Sequence, residues 1–338
     1  MSLHDEFQLI DLIKKTVPRP SKRVELGIGD DAAVLTTSHQ KIIVTNDAMV
    51  EGVHFDLAYT TAKELGHKIM AVNLSDCAAM AARPRYAVVS LGLKQELNEY
   101  FVEELYSGIC ELAKRHKVDI VGGNISQSPT AIFVDLTLIG EPLKSYAKRS
   151  GARPTDVLAV TGWLGNSAAG LNGIKRLGRS VMEDYRPLVE SHLRPNPRIE
   201  EAIRLLEVGG LTAMMDLSDG LGMDLHHLLK ASKVGALIDA KKIPISTASK
   251  KVAKLINANA MAWALYGGED YELLVTISEK KFSKAQKALK ALGCSLTPIG
   301  VITKFAEGAK LKTVTGELTP FERRGWNHFV RRSRLRTE

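Results

Sequence analysis

The sequence predicts an α/β protein of two domains, and three observations support this prediction. The chain has 338 residues, a length that favours two domains over one. Apolar runs typical of buried strands alternate with helical patterns in both halves. Between the halves, the segment Lys-Arg-Ser-Gly-Ala-Arg-Pro at 148–154 is basic and turn-forming and interrupts the apolar pattern. We therefore predict one domain over residues 1–145 and a second over residues 146–338.

The elements predicted in the N-terminal half follow a repeated βαβ order. A short first helix ends at Pro18 to Pro20, and the pattern then predicts the following elements: a strand at 42–44, a helix over 62–82 stopped by Pro84, a strand over 86–93, a helix over 96–116, and strands over 117–121 and 131–139. In the C-terminal half it predicts strands at 157–160, 214–216, 236–238 and 273–277, and helices over 166–177, 221–229 and 282–292.

Composition indicates an ordinary folded protein. Hydrophobic residues make up 45% and charged residues 25%, close to the averages for globular chains. There is no apolar run of about 18 residues and no basic start followed by an apolar stretch, so we expect no contact with a membrane. The three cysteines, Cys77, Cys110 and Cys294, form no CxxC pair, which argues against a disulfide framework and a zinc site and favours the cytoplasm.

The formal net charge of +8 is compatible with a nucleic-acid partner or with anionic small-molecule substrates. Much of the excess lies in the C-terminal segment, at Arg323, Arg324, Arg331, Arg332, Arg334 and Arg336. No aromatic residues of the kind that stack on bases are interleaved there. A solvated tail is the favoured interpretation, and a basic nucleic-acid-binding protein is the alternative from a different class.

Five acidic turns are the most informative feature of the sequence. Each follows an apolar stretch or opens a helix: 27–31 (Gly-Ile-Gly-Asp-Asp), 45–47 (Thr-Asn-Asp), 73–76 (Asn-Leu-Ser-Asp), 216–220 (Asp-Leu-Ser-Asp-Gly) and 267–270 (Gly-Gly-Glu-Asp). One such turn alone is usually a helix cap. Carboxylates gathered in one cleft repel unless cations neutralise them, and oxygen ligands without His or Cys clusters select hard cations such as Mg²⁺. The residues therefore predict a phosphate site with several magnesium ions.

Other phosphate-binding and metal-binding motifs fit less well. The segment at 27–32 matches a loose dinucleotide fingerprint, but two aspartates would oppose a pyrophosphate, and no clear strand precedes Gly27. The turn at 216–220 lacks the spacing of a calcium loop. The signatures of P-loop enzymes and protein kinases are missing. The glycine pairs at 122–123 and 267–268 are either tight turns or places where the backbone approaches a ligand.

Together, the motifs resemble those of the thiamine-monophosphate kinase family from about Glu6 to Phe329. The acidic turns carry the resemblance with Glu-Gly-Val-His-Phe at 51–55, Gly-Gly-Asn at 122–124, Gly-Gly-Glu-Asp-Tyr-Glu at 267–272 and Gly-Trp-Asn-His-Phe at 325–329. Relatives of that family are aminoimidazole ribonucleotide synthetase, selenophosphate synthetase and a hydrogenase maturation protein. A sibling enzyme of this kind is the nearer alternative.

The resemblance implies a fold, a reaction and a set of site residues. It implies an α+β N-terminal domain that forms a barrel-like homodimer interface, an α/β C-terminal domain over the cleft, and phosphorylation of thiamine monophosphate by ATP. By motif, metal ligands would be Asp31, Thr45, Asn46, Asp47, Asp76, Asn124, Asp216 and Asp219, with Asp30 adjacent. ATP would contact Tyr106, Gly123, Asn124, Arg149 and Ser218. Thiamine monophosphate would contact His54, Glu269 and Trp326. Asn46 and Asn124 depart from the residues common in the family, and each keeps an oxygen that can act as a ligand.

The chemistry of the acceptor indicates the mechanism. A phosphate monoester has a second pKa near 6 and is largely a dianion at pH 7, so its oxygen needs no general base. We expect direct in-line transfer from ATP, with no catalytic nucleophile in the protein.

Overall fold

The computed structural model describes residue 10, residues 22–37 and residues 40–327. Its N-terminal sheet has six strands in the order β1-β2-β3-β6-β4-β5. The strands are β1 (Val24–Leu26), β2 (Ala33–Thr36), β3 (Lys41–Val50), β4 (Ala82–Leu93), β5 (Asp119–Gln127) and β6 (Phe133–Pro142). Strand β6 lies between β3 and β4 and is antiparallel to both, whereas β4 and β5 are parallel neighbours.

Two helices, α1 (Ala62–Ala79) and α2 (Glu99–His116), pack against each other beside this sheet. Their backbones approach closely because glycines lie at the crossing. A Cβ on Gly66 would lie 1.9 Å from the carbonyl oxygen of Leu105, and a Cβ on Gly108 would lie 1.9 Å from that of Lys63. Any side chain at either position would push the helices apart.

The C-terminal sheet has seven strands in the order β13-β12-β9-β11-β7-β10-β8. They are β7 (Val157–Thr161), β8 (Leu211–Asp216), β9 (Gly235–Asp239), β10 (Leu273–Ile277), β11 (Leu296–Thr303), β12 (Ala309–Lys312) and β13 (Leu318–Pro320). Its helices are α3 (Asn166–Leu177), α4 (Arg186–Leu193), α5 (Ile199–Val208), α6 (Leu221–Ser232), α7 (Thr247–Leu255), α8 (Ala260–Tyr266) and α9 (Glu279–Lys290). Short 3-10 turns are formed by Val181–Tyr185, Ala240–Lys242 and Phe305–Glu307.

Helix α1 connects the two halves of the molecule. It packs on β3, β4 and β6 of the first sheet and on β8 and α5 of the second half. The apolar core around it is continuous, from Leu65 and Ile69 on α1 to Met214 on β8 and Val275 on β10. Side chains on α1 can therefore reach functional residues of both halves.

Within the described residues, the predicted elements are present, with three differences. Helix α1 ends at Ala79, because Ala81 adopts a left-handed φ of 52° and β4 begins at Ala82. Pro84 therefore lies within β4. The pairing of β4 with β6 is irregular at this point, where proline, which has no backbone N–H, is tolerated. Contrary to our expectation, strand β1 directly precedes Gly27. It leads into β2 and not into a helix, so a dinucleotide-binding βαβ unit is still excluded.

Some predictions concern residues that the structure does not describe, and one stays untested. The first predicted helix and most of the arginine-rich tail lie outside the described residues. The boundary near residue 146 falls between β6 and β7 and stays a prediction. Across the described ranges, no helix combines the length and apolar character needed to cross a membrane. Cys77, Cys110 and Cys294 are free thiols.

Candidate active site

A cavity of about 2130 Å³ is lined by residues of both halves of the molecule. Ten of the residues predicted for the site line it: Asp31, Asn46, Asp47, His54, Asp76, Arg149, Ser218, Asp219, Glu269 and Trp326. The adjacent Asp30 lines it too. Thr45 forms a hydrogen bond with Asp76, and a carboxylate oxygen of Asp216 lies close to those of Asp31 and Asp76. The acidic turns therefore converge, as the sequence predicts.

The centre of the cavity is a group of three carboxylates from three distant segments. One oxygen each of Asp31, Asp76 and Asp216 lies within 4.8 Å of the others. Asp31 follows the turn after β1, Asp76 is in the last turn of α1, and Asp216 ends β8. The Oγ1 of Thr45 donates to Asp76. The Oγ of Ser75 donates to Asp216 over 2.6 Å.

Burial and repulsion from neighbouring carboxylates raise the pKa values of Asp76, Asp216 and Asp47. For Asp76, burial comes first and the charges of Asp47, Asp216 and Asp31 add to it, so its pKa lies well above its usual range. Burial, then Asp31, raises the pKa of Asp216 to about 7. Burial raises that of Asp47 to about 6. These buried carboxyls ionise readily only when a cation offsets their charge. Together they form a set of oxygen donors that fits a divalent cation such as Mg²⁺.

Arg149 supplies positive charge at the edge of this cluster. Its Nη2 and Nε donate to the two carboxylate oxygens of Asp31, over 2.6 and 3.0 Å. Its backbone N–H lies 3.4 Å from both oxygens of Asp30. Burial, followed by the charge of Asp31, raises the pKa of Asp30 to about 7. Arg149, predicted to contact ATP, thus also holds the first acidic turn in place.

Asp224 is a buried carboxylate that we did not predict for the site. It lies in the first turn of α6, and its Oδ2 accepts the backbone N–H of Asp219 over 3.1 Å and that of Gly220 over 3.0 Å. It therefore shapes the turn that carries Ser218 and Asp219. An acidic residue in the first turn of the predicted helix was the available signal.

The segment 267–272 places its three acidic residues in three different environments. The Oε1 of Glu269 lies 2.8 Å from the Nζ of Lys68 and its Oε2 lies 3.3 Å from the Nδ1 of His192. Asp270 accepts the N–H of Gly165 over 2.7 Å at the start of α3. Glu272 forms a bidentate ion pair with Arg198, with distances of 2.6 and 2.8 Å. Only Glu269 of the three lines the cavity among the described residues.

His54 and Trp326 line the cavity and have defined backbone contacts. The Nδ1 of His54 accepts the N–H of Val50 over 3.0 Å, which places the ring proton on Nε2. The backbone N–H of Trp326 donates to the carbonyl of Asp219 over 2.9 Å, so the C-terminal segment is joined to the acidic turn at 216–220.

Three predicted residues lie elsewhere. Gly123 and Asn124 are on β5, the last strand of the first sheet, and Tyr106 is half-buried on α2. None of the three is among the described residues that line the cavity. Asn46 lines it, but its amide nitrogen donates to Asp135, to the carbonyl of Leu136 and to Thr137 of β6.

The sequence is similar to known proteins over most of its length. Residues 29–141 match the N-terminal domain of AIR synthase related proteins, and residues 153–310 match the C-terminal domain of the same family. Thiamine-monophosphate kinase from Bacillus subtilis (strain 168) is 36% identical over 332 residues, covering 96% of this chain and 99% of that one. The enzyme of the same name from Escherichia coli (strain K12) is 36% identical over 327 residues, covering 96% and 98%.

Solved structures show the same likeness. AaThiL complexed with AMPPCP and TMP has a TM-score of 0.84 and 35% identity, covering 96% of this chain and 97% of that one. Thiamine-monophosphate kinase from Stenotrophomonas maltophilia K279a has a TM-score of 0.75 and 34% identity, covering 92% and 97%. The hydrogenase maturation protein HypE, in complex with ATP, is 18% identical with a TM-score of 0.70, which shows the shared fold alone.

Proposed function

The chain belongs to the thiamine-monophosphate kinases of the AIR synthase related family, and from this premise we propose that it transfers the γ-phosphoryl group of ATP to thiamine monophosphate. The products are thiamine pyrophosphate and ADP. The convergence of Asp31, Asp76 and Asp216 in one cavity is the observation that carries the proposal. A similar protein binds AMPPCP, an analogue of ATP, together with TMP.

Mg²⁺ is the cofactor that this donor set fits. Asp31, Asp76 and Asp216 would hold it, with Asp47, Asp219 and Thr45 as further oxygen ligands beside them. When bound, Mg²⁺ supplies positive charge that offsets the repulsion between the phosphates of ATP and the acceptor. That Asn46 and Asn124 also act as ligands stays a prediction, and Asp30 lies adjacent to Asp31 in the cavity.

The chain itself contributes orientation and charge to the transfer. An oxygen of the acceptor phosphate attacks the γ-phosphorus of ATP while the bond from that phosphorus to the β–γ bridging oxygen breaks, and ADP leaves. The acceptor is already a dianion near pH 7, so no side chain has to remove a proton. Arg149 adds a guanidinium whose rigid planar geometry suits phosphate oxygens.

We assign the remaining predicted contacts by position in the cavity. His54, Glu269 and Trp326 would contact thiamine monophosphate, and Arg149 and Ser218 would contact ATP. Tyr106, Gly123 and Asn124 are not among the described residues that line the cavity. Their contacts with ATP therefore rest on the family resemblance alone. Of the arginine-rich tail, Arg323 and Arg324 line this cavity, which favours a role near anionic ligands over nucleic-acid binding.

A homodimer formed through the first sheet is part of the proposal. Strand β5 ends that sheet, and Val121 and Ile125 on it are 59% and 65% exposed. A second copy is the occupant that would cover them, and closure of two such sheets would give the barrel-like interface expected from the family. We place the boundary of this dimerising domain near residue 146, between the two matched family ranges. The free thiols support a cytoplasmic setting.

The test is phosphoryl transfer with ATP and Mg²⁺. We expect conversion of thiamine monophosphate to the pyrophosphate, and little reaction of thiamine, which lacks the phosphate nucleophile. Chelation of the metal should stop turnover. Equal turnover of thiamine and its monophosphate would refute the mechanism. Turnover of a substrate of aminoimidazole ribonucleotide synthetase or selenophosphate synthetase instead would assign the chain to a sibling activity.

A further inference from the structure

Lys68 is a buried cation that the proposed reaction does not yet use. It lies on α1, its side chain is 1% exposed, and its Nζ is 2.8 Å from Oε1 of Glu269. The Nδ1 of His192, itself 2% exposed, is 3.3 Å from Oε2 of the same carboxylate and 3.1 Å from the Oγ of Ser167. Each carboxylate oxygen of Glu269 thus has a buried partner, Lys68 or His192. The Glu269 side chain is 27% exposed and lines the cavity.

The charges in this group balance. Burial is the largest single influence and raises the pKa of the Glu269 carboxyl, but the charge and hydrogen bond of Lys68, with His192 and Lys175, together outweigh it, and the net shift is downward. Burial, then Lys68, lowers the pKa of His192 to about 3, so its ring is neutral. Lys175 and Tyr271 are the other titratable groups that face the pair. The ion pair with Lys68 compensates the charge of Glu269, so this residue presents hydrogen-bond acceptors to the cavity with its charge already paired.

Helix α1 fixes the separation between this acceptor and the acidic cluster. Lys68 and Asp76 are eight residues apart on it, which is about 12 Å along the helix axis. If the phosphate of an extended thiamine monophosphate binds at the cluster, the opposite end of the molecule therefore lies near Glu269. That end is an aminopyrimidine, whose exocyclic amino group is an N–H donor. An ionised carboxylate can only accept, so donor and acceptor match.

We propose that Lys68 is a positioning residue that holds Glu269 as the acceptor for the amino group of the substrate's pyrimidine, and so determines specificity at that end. The inference rests on the proposed function and deepens it. Recognition of the cationic thiazolium by a free negative charge is the competing role for Glu269. The ion pair with Lys68 argues against that role, because the charge is compensated before the substrate arrives.

The experiment compares thiamine monophosphate with its 4-oxo analogue, oxythiamine monophosphate, in which a carbonyl replaces the amino group. We expect wild type to prefer the amino substrate by roughly tenfold or more in kcat/KM, since the carbonyl of the analogue would face the Glu269 carboxylate with two acceptors opposed and no donor between them. In Lys68→Met the preference should fall to within about threefold, with the KM for ATP unchanged. Glu269→Gln and the double variant Lys68→Met/Glu269→Gln should show the same reduced preference as Lys68→Met, because the two residues act as a unit.

Lys63→Met is the matched control, since Lys63 is on the same helix but is not among the described residues that line the cavity. It should keep the wild-type preference. If Lys68→Met does not fold, Lys68→Arg keeps the charge but changes the geometry, and it should also lose the preference. A Lys68 variant that keeps the wild-type preference would overturn the inference.

Two further results separate the possible failures. A wild type that turns over both pyrimidines equally would overturn the role of Glu269 as an acceptor but leave the kinase activity standing. So would a Glu269→Gln variant that weakens both substrates equally and keeps the preference, because this is the result expected for recognition of the thiazolium charge. A wild type without turnover of thiamine monophosphate would refute the proposed function itself.

Discussion

Replacement of Asp216 by asparagine separates the role of this residue in metal binding from its role in the fold. Asp216 is 2% exposed, ends β8, and accepts a 2.6 Å hydrogen bond from Ser75. Asparagine has the same shape, and its carbonyl oxygen can still accept from Ser75. The substitution therefore removes one negative charge from the cluster with Asp31 and Asp76 and leaves the packing in place. We expect turnover to be nearly abolished and the metal-free protein to become more stable.

Two figures bear on the size of the stability gain. Two unit charges 4.8 Å apart repel by about 3 kcal/mol at an effective dielectric constant of about 20. Raising the pKa of Asp216 from 3.8 to about 7 corresponds to about 4 kcal/mol that its ionised form costs the fold. The first figure is an upper bound because it leaves out Arg149, which offsets part of the charge, whereas the second already includes Arg149. A gain of about 1 to 3 kcal/mol in the free energy of unfolding at pH 8 is the expected result.

The sign of the pH dependence follows from the direction of the shift. The folded-state pKa is raised, so the stabilisation that goes with the protonated carboxyl is complete below the ordinary pKa of 3.8 and is lost as pH rises through about 7. Metal-free wild type should therefore become less stable between pH 5 and pH 8. The advantage of Asp216→Asn should be largest at pH 8 and small at pH 5.

Thermal unfolding at both pH values, with and without Mg²⁺ and an ATP analogue, measures these effects. The ligands should raise the Tm of wild type at pH 8 more than that of the variant. Asp156→Asn is the control: Asp156 is equally buried but lies outside the cluster, where it accepts from Arg153 and Thr212. It should give no gain. An Asp216→Asn protein that loses its fold, or one that keeps wild-type turnover, would refute the reasoning.

Three further predictions concern other parts of the molecule. Trp326→Ala should weaken binding of thiamine monophosphate in calorimetry by several-fold to about thirtyfold, and Trp326→Phe by less, because an aromatic face attracts the thiazolium cation; unchanged affinity would assign Trp326 to packing. Arg198→Met should lower the free energy of unfolding in urea by about 3 to 5 kcal/mol, because it leaves Glu272 buried and unpaired, while KM values stay near wild type; a shift in KM alone would contradict this structural role. Ile125→Lys should dissociate the proposed homodimer in sedimentation experiments, and an unaltered dimer would place the interface elsewhere.

The acidic cluster was predictable from sequence because each of its turns has a local signature. Asp31, Asp76 and Asp216 each occur in a short motif that also contains small or hydroxyl residues, and oxygen ligands from several such motifs indicate a shared cation. The strands and helices around them follow from apolar periodicity. The order β3-β6-β4 did not follow, because periodicity does not record which strand inserts between the two strands of a βαβ unit.

The roles of the acidic residues in segment 267–272 could not be read from sequence for a related physical reason. Glu269, Asp270 and Glu272 are nearly adjacent, but left-handed φ values of 57° at Glu269 and 49° at Tyr271 turn the backbone between them, and their side chains reach different partners. Their partners come from α1, the start of α3 and Arg198, all distant in the chain. The partner that the fold brings to each carboxylate decides its role: Glu269 is a binding group, Asp270 caps a helix, and Glu272 is structural. The motif as a whole identifies the family, whereas Lys68 makes Glu269 the one member of the three fitted to face a substrate.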